Sequence, residues 1–135
     1  MKRNLTITTN ITDNSQNKIS IQDLPGAVNH SVDIIFCDIL EHIEEKNIGQ
    51  FIQNILMKVR PSGYIVFKFL DVKKICNDFI QNSTSNSDFI EYFNKKQGVV
   101  TLDLLYTFFD TRQFDITKLE KDKDYISLTI NRKSV

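Results

Sequence analysis

The chain has 135 residues, of which 41% are hydrophobic and 25% are charged, a size and composition typical of one soluble globular domain. Seventeen Lys and Arg residues balance seventeen Asp and Glu residues, so the charge does not predict nucleic-acid binding. No apolar run approaches the roughly 18 residues of a membrane span, and the polar start lacks a signal core. The two cysteines lack metal-ligand spacing, which indicates reduced thiols in a cytoplasmic protein without a metal site.

The first thirty residues predict two short strands. Residues 2–12 alternate apolar and polar side chains, as a half-buried strand does, and residues 13–17 form a polar turn. Residues 18–22 predict a second strand, which ends before Asp23-Leu24-Pro25-Gly26.

The central stretch predicts a βαβ unit. Val32–Cys37 is short, apolar and rich in β-branched residues, which favours a buried strand. Apolar residues at spacings of three and four then predict an amphipathic helix, and Pro61-Ser62-Gly63 ends it. A second apolar run, Tyr64–Leu70, follows. Two such strands should be parallel neighbours joined by a right-handed crossover.

The C-terminal half predicts helices and a closing hairpin. Asp71 and Thr101 are candidate N-caps, and the lysine pairs in this part are expected on solvated helix faces. A polar turn at Lys121–Asp124 joins two strands in an antiparallel hairpin. The predicted elements cover residues 72–81, 88–96, 101–109, 114–119 and 125–131. No linker interrupts the chain, so residues 1–135 are expected to form a single domain.

Two motifs make the chain resemble class I S-adenosylmethionine-dependent methyltransferases. Ile39-Leu40-Glu41-His42-Ile43 is similar to the family's "vLEHl" segment after the fourth strand, and Val59-Arg60-Pro61-Ser62-Gly63 is similar to its "LkPGG" segment before the fifth. The resemblance covers roughly residues 18–132. It implies an α/β fold with a truncated Rossmann-like sheet, mostly parallel, an antiparallel C-terminal hairpin and helices on both faces.

In this family a glycine-rich turn follows the first strand and lets the backbone approach the cofactor. This sequence has no counterpart of that turn. The chain has four glycines, and none lies in the first 25 residues. In one alignment Met1–Leu5 is the first strand, Thr8-Thr9-Asn10 replaces the glycines, and the next helix and strand are deleted. In the other, Leu5–Thr12 is the second strand. Both alignments leave the cofactor pocket without one wall.

The resemblance implies five contacts to S-adenosylmethionine. Asp23 matches the family's acidic residue near the adenine amine, and Leu24 follows it as an apolar wall. Cys37 and Asp38 match the strand end that lines the cofactor and the substrate mouth. His42 lies beside the cofactor and has the right chemistry for a base near neutral pH. The alternatives are a turn role for Asp23, a helix-cap role for Asp38 and a structural role for the LEHI segment.

Two functions follow from this resemblance. The chain is either a minimal methyltransferase that uses S-adenosylmethionine, or a non-catalytic descendant that serves as a binding or assembly module. Compared with the complete family fold, the loss of a strand and a helix would expose an edge of the sheet and an apolar surface. We therefore expect a homo-oligomer or a protein partner that covers the N-terminal strand or the face it leaves bare, with neither nucleic acid nor membrane as a partner.

Overall fold

The computed structural model describes residues 4–7, 18–19, 28–94, 96 and 98–134, which form one six-stranded sheet and its helices. The strands are β1 (Asn4–Ile7), β2 (Lys18–Ile19), β3 (Val32–Cys37), β4 (Val59–Leu70), β5 (Phe114–Asp122) and β6 (Tyr125–Arg132). The α-helices are α1 (Glu45–Lys58), α2 (Val72–Ile80), α3 (Asn86–Phe93) and α4 (Leu102–Tyr106), and a 3₁₀ turn spans Leu40–His42.

The sheet has the order β2-β1-β3-β4-β6-β5. The first four strands pair in parallel, and β6 runs antiparallel to both β4 and β5. Ile34 lies opposite Tyr64 and Cys37 lies opposite Phe67, so the two strands of the predicted βαβ unit are adjacent and co-directional. The predicted α/β fold, with a mostly parallel sheet and an antiparallel closing hairpin, is confirmed.

The place of β1 distinguishes the two N-terminal alignments. In a doubly wound sheet the first strand lies beside the fourth, and β1 pairs along its whole length with β3, the counterpart of that fourth strand. This pairing favours the alignment in which the opening residues are the first strand. β2 pairs directly with β1. The predicted turn at residues 13–17, the Thr8-Thr9-Asn10 segment, Asp23 and Leu24 lie outside the described residues.

The core forms where α1 covers the sheet. The helix is amphipathic, and its buried side chains recur every three or four residues on one face. They pack with sheet residues such as Ile35, Phe67 and Leu128, which are fully buried. Each fully buried aliphatic or aromatic side chain contributes about 1.5–3 kcal/mol of transfer free energy. The buried apolar residues of α1 are Ile48, Phe51, Ile52, Ile55 and Leu56.

The Pro-Ser-Gly turn lies inside β4 rather than ahead of it. Val32 pairs with Val59 and Ile34 pairs with Tyr64, so Asp33 alone opposes the intervening residues of β4. Ser62 has a φ of 68°, in the left-handed region that is costly for a residue with a Cβ. The sequence predicts the turn, but only the pairing of β3 with β4 shows that β4 begins directly after α1, at Val59.

The predicted caps of the C-terminal helices are confirmed. The side chains of Asp71 and Thr101 accept hydrogen bonds from backbone N–H groups in the first turns of α2 and α4. α3 begins at Asn86, earlier than predicted, because the Ser85 hydroxyl accepts a 3.2 Å hydrogen bond from the backbone N–H of Asp88.

Candidate functional site

The candidate site lies at the edge of the sheet where β1, β3 and β4 end. The strand order reverses between β1 and β3, since β2 extends the sheet on one side and β4 on the other. Ligands of doubly wound sheets bind outside the carboxyl ends of the strands at such a switch point. The Asp38 N–H donates a 3.4 Å hydrogen bond to the Ile7 carbonyl, which joins the two strand ends there.

A cavity of about 310 Å³ opens at this edge. It brings together two of the predicted site residues, Asp38 and His42, with residues that sequence alone did not single out. Its walls come from the end of β3, the 3₁₀ turn, β4, the segment after α3, and β6. The lining residues are Asp38, Glu41, His42, Lys68, Lys96 and Tyr125.

Asp38 has an unusual environment. Its Oδ1 atom is buried, and no hydrogen-bond partner for it exists in the part of the chain that the structure describes. Ile39 is the N-cap residue of the 3₁₀ turn, and Glu44 is the N-cap residue of α1. Asp38 therefore caps neither element. A buried acceptor without a donor costs roughly 1–3 kcal/mol, and such atoms generally have a partner. Asp38 therefore presents an acceptor that a ligand can satisfy.

Glu41 has a structural role at the site. Its side chain is 3% exposed, and its Oε1 accepts a 2.6 Å hydrogen bond from the backbone N–H of Leu70 at the end of β4. Its carbonyl oxygen accepts a further bond from the Gly98 N–H. Glu41 thus holds the 3₁₀ turn in place, which leaves the neighbouring His42 half-buried on the cavity wall.

Cys37 points into the core. Its side chain is fully buried with the residues of the hydrophobic cluster, and Cys37 is not among the residues that line the cavity. Burial raises the pKa of the Cys37 thiol to about 12. Because the thiolate is the reactive form, this cysteine packs rather than reacts.

We expect a thiol reagent such as 5,5′-dithiobis(2-nitrobenzoate) at pH 8 to label Cys76 in the folded protein and leave Cys37 unlabelled. Cys76 is half-buried on α2, whereas Cys37 becomes accessible only on unfolding. Absorbance of the released thiolate measures the labelling, and the same reaction in urea, where both cysteines should react, is the control. Rapid labelling of both thiols under native conditions would contradict the buried position of Cys37.

Three cavity residues were missed by sequence reasoning because they lie far apart in the chain. Lys68 is on β4, Lys96 follows α3 instead of lying on a solvated helix face, and Tyr125 begins β6. The Lys68 ammonium lies 5.0 Å from the centre of the Tyr125 ring, within the range of a cation–π interaction. No local pattern marks these residues, since only the fold brings them together.

A hydrogen-bond network holds α3 against the hairpin beside this cavity. Asp124 accepts a 2.6 Å hydrogen bond from the Tyr92 hydroxyl and a 2.9 Å bond from the Lys74 ammonium. These two bonds hold the pKa of the Asp124 carboxyl below its usual value. A second cavity of about 550 Å³ lies next to Tyr92, and it shares Lys96 and Tyr125 with the first. The site is therefore a cleft with two compartments.

Within the described ranges, no group of three or more His, Cys, Asp or Glu side chains is arranged to hold a metal ion. None of the helices described is long and apolar enough to cross a membrane.

Comparison by sequence finds no matching family model and no matching curated protein. Comparison by structure finds many matches. A protein from Pyrococcus horikoshii superposes with a TM-score of 0.64 at 12% identity, over 96% of this chain and 72% of that one. An S-adenosylmethionine-dependent methyltransferase from Archaeoglobus fulgidus has a TM-score of 0.61 at 11% identity, over 93% and 74%. Another from Mesorhizobium loti has 0.59 at 9% identity, over 96% and 81%.

Other structural neighbours are much longer, and the chain spans 45% of one and 34% of another. Identities this low concern the fold and not the activity. The strand order, the closing hairpin and these superpositions together lead to one conclusion: the chain has a class I methyltransferase-like fold.

Proposed function

We propose that the chain binds S-adenosylmethionine at the edge where β1 and β3 meet and acts as a minimal methyltransferase. The observation that carries this proposal is the Oδ1 atom of Asp38 at the switch point of the sheet, which is buried and has no hydrogen-bond partner among the described residues. A carboxylate oxygen is an acceptor, and the cofactor carries an ammonium group and ribose hydroxyls that donate. These donors are what the Oδ1 atom of Asp38 lacks among the described residues, which supports the proposal.

The roles of the chain's own residues follow from their positions. Asp38 would accept a hydrogen bond from the cofactor, and Glu41 would keep the 3₁₀ turn in place around it. His42, half-buried on the same wall, is proposed to take a proton from the methyl acceptor. The bound cofactor supplies an electrophilic methyl group on its sulfonium sulfur. Cys37 would act only by packing the end of β3.

Asp23 and Leu24 are proposed cofactor contacts on the strength of the family resemblance.

The proposed location is the cytoplasm. Cys37 and Cys76 are both free thiols, and reduced cysteines are typical of that compartment.

Calorimetric titration with S-adenosylmethionine tests the proposal. We expect binding, and we expect Asp38→Asn to weaken it by about tenfold or more, since a hydrogen bond to a charged group is worth roughly 1.5–3 kcal/mol. The free Asp38→Asn protein should be about as stable as the parent, because the described residues give Oδ1 no donor that the change could remove.

Asp33→Asn is the matched control, since Asp33 is on the same strand near the other end and pairs with Arg60 at 3.0 Å. Its affinity for the cofactor should equal that of the parent. Absence of binding at millimolar cofactor, or equal affinity of the Asp38→Asn protein, would reject the proposed site.

A second function, that of a non-catalytic assembly module, is favoured by the outer strand β5. Beyond its first residue, Phe114, the strand is exposed, and Ile116 and Leu119 are 49% and 44% exposed. Unpaired sheet edges and apolar side chains favour association. Together with the N-terminal sheet edge, they support a homo-oligomer or a protein partner.

Sedimentation velocity at micromolar concentration addresses this second proposal. We expect a species heavier than the 15.7 kDa monomer. A single boundary at the monomer mass would contradict homo-oligomer formation, and it would leave the titration with S-adenosylmethionine to decide between the two functions.

A further inference from the structure

We infer that the cleft binds a small aromatic molecule that carries a carboxylate or phosphate group, with the anion held by Lys68 and Lys96 and the ring placed against Tyr125. The inference deepens the proposed function, on which it rests for the role of this molecule as methyl acceptor. The binding itself depends only on the residues of the cleft.

The two lysines of the cleft, Lys68 and Lys96, have no carboxylate within 4.0 Å among the residues that the structure describes. Several other lysines of this chain have such a partner. Both cleft lysines are half-buried at the cavity. A partly desolvated ammonium without a counter-ion is unfavourable unless a ligand brings the opposite charge. The lysines with carboxylate partners are Lys46, Lys73, Lys74, Lys118 and Lys133.

Tyr125 offers an aromatic surface inside the cleft. It is 40% exposed and lines both cavities, and the Lys68 ammonium lies over its ring. An exposed ring beside a cation offers a surface on which a planar anion can stack. The larger compartment is lined by the neutral polar groups of Ser83, Thr84 and Asn94 and by the carboxylates of Asp88 and Glu91, so it suits an uncharged part of a ligand.

The two acidic residues of the smaller compartment do not cancel this attraction, and the anionic group is placed there, away from Asp88 and Glu91 of the larger one. The Oε1 atom of Glu41 already accepts a hydrogen bond from the Leu70 N–H. The Oδ1 atom of Asp38, which has no partner among the residues that the structure describes, is buried after β3. Positive groups of a ligand are therefore favoured beside Asp38 and negative groups beside the two lysines. This arrangement of charges suits a cationic cofactor and an anionic methyl acceptor that bind side by side.

Proton NMR titration without cofactor provides the test, with benzoate, phenyl phosphate, benzamide and inorganic phosphate as probes. We expect benzoate or phenyl phosphate to bind about tenfold or more tightly than neutral benzamide and inorganic phosphate, since both the charge and the ring contribute. Whichever of the two aromatic anions binds more tightly identifies the anionic group. Lys68→Gln and Lys96→Gln should each weaken that binding at least about fivefold.

Lys118→Gln is the matched control, because Lys118 lies on the outer strand and pairs with Glu120 at 2.9 Å. Its affinity for benzoate should be unchanged. Equal binding of benzoate and benzamide, or unchanged affinity in both cleft variants, would overturn the inference. Asp38→Asn should not weaken benzoate binding, so failure of the cofactor site and failure of the anion site give different results.

Discussion

Replacement of Gly63 by alanine is expected to destabilise the protein by roughly 2–4 kcal/mol, a large effect for one methyl group. A Cβ at this position would lie 2.6 Å from the Asp33 carbonyl oxygen, 2.9 Å from a methyl carbon of Val59 and 3.0 Å from the Arg60 carbonyl oxygen. Two of these three atoms belong to the backbone and cannot rotate away. The irregular stretch of β4 would have to move away from β3, and this would disturb the central parallel pairing.

Urea unfolding followed by circular dichroism measures this loss, and Gly98→Ala is the matched control. The atom nearest to a Cβ at Gly98 is 3.7 Å away, an ordinary contact. That variant should therefore stay within about 0.5 kcal/mol of the parent. Equal midpoint urea concentrations for Gly63→Ala and Gly98→Ala would contradict the close approach of β3 and β4 at Gly63.

Glu41→Ala is expected to cost roughly 2–4 kcal/mol, the second large effect. The change removes the acceptor of the Leu70 N–H, which is buried, and leaves a cavity under the 3₁₀ turn. An unsatisfied buried N–H group loses its full solvation without compensation. The turn should loosen from the end of β4, so cofactor affinity is expected to fall together with stability.

Glu41→Gln separates the hydrogen bond from the charge. Glutamine keeps an oxygen where Oε1 lies and can still accept from the Leu70 N–H. We expect this variant to recover most of the stability lost in Glu41→Ala when both are compared by urea unfolding. An equal loss in the two variants would show that the acceptor role of Glu41 is not what stabilises the turn.

Local chemistry explains why much of the fold could be predicted. Val32–Cys37 and Tyr64–Leu70 are apolar runs too short for helices, and the amphipathic segment between them has a helical period. Asp71 and Thr101 satisfy N–H groups within their own helices, so each cap is visible within four residues of sequence. Such signals predict an element and its type, whereas its ends shift by a few residues, as α3 illustrates.

The amino-acid sequence by itself determined the βαβ unit, the closing hairpin and the placement of Asp38 and His42 after a buried strand, because each depends on neighbours along the chain. Only the tertiary structure decided that β1 lies beside β3 and that Glu41 accepts from Leu70. It alone also brought Lys68, Lys96 and Tyr125 to one cleft. The physical reason is that strand order and long-range contacts are set by how the whole sheet buries its apolar surface. No period or motif in a short stretch of sequence records that arrangement.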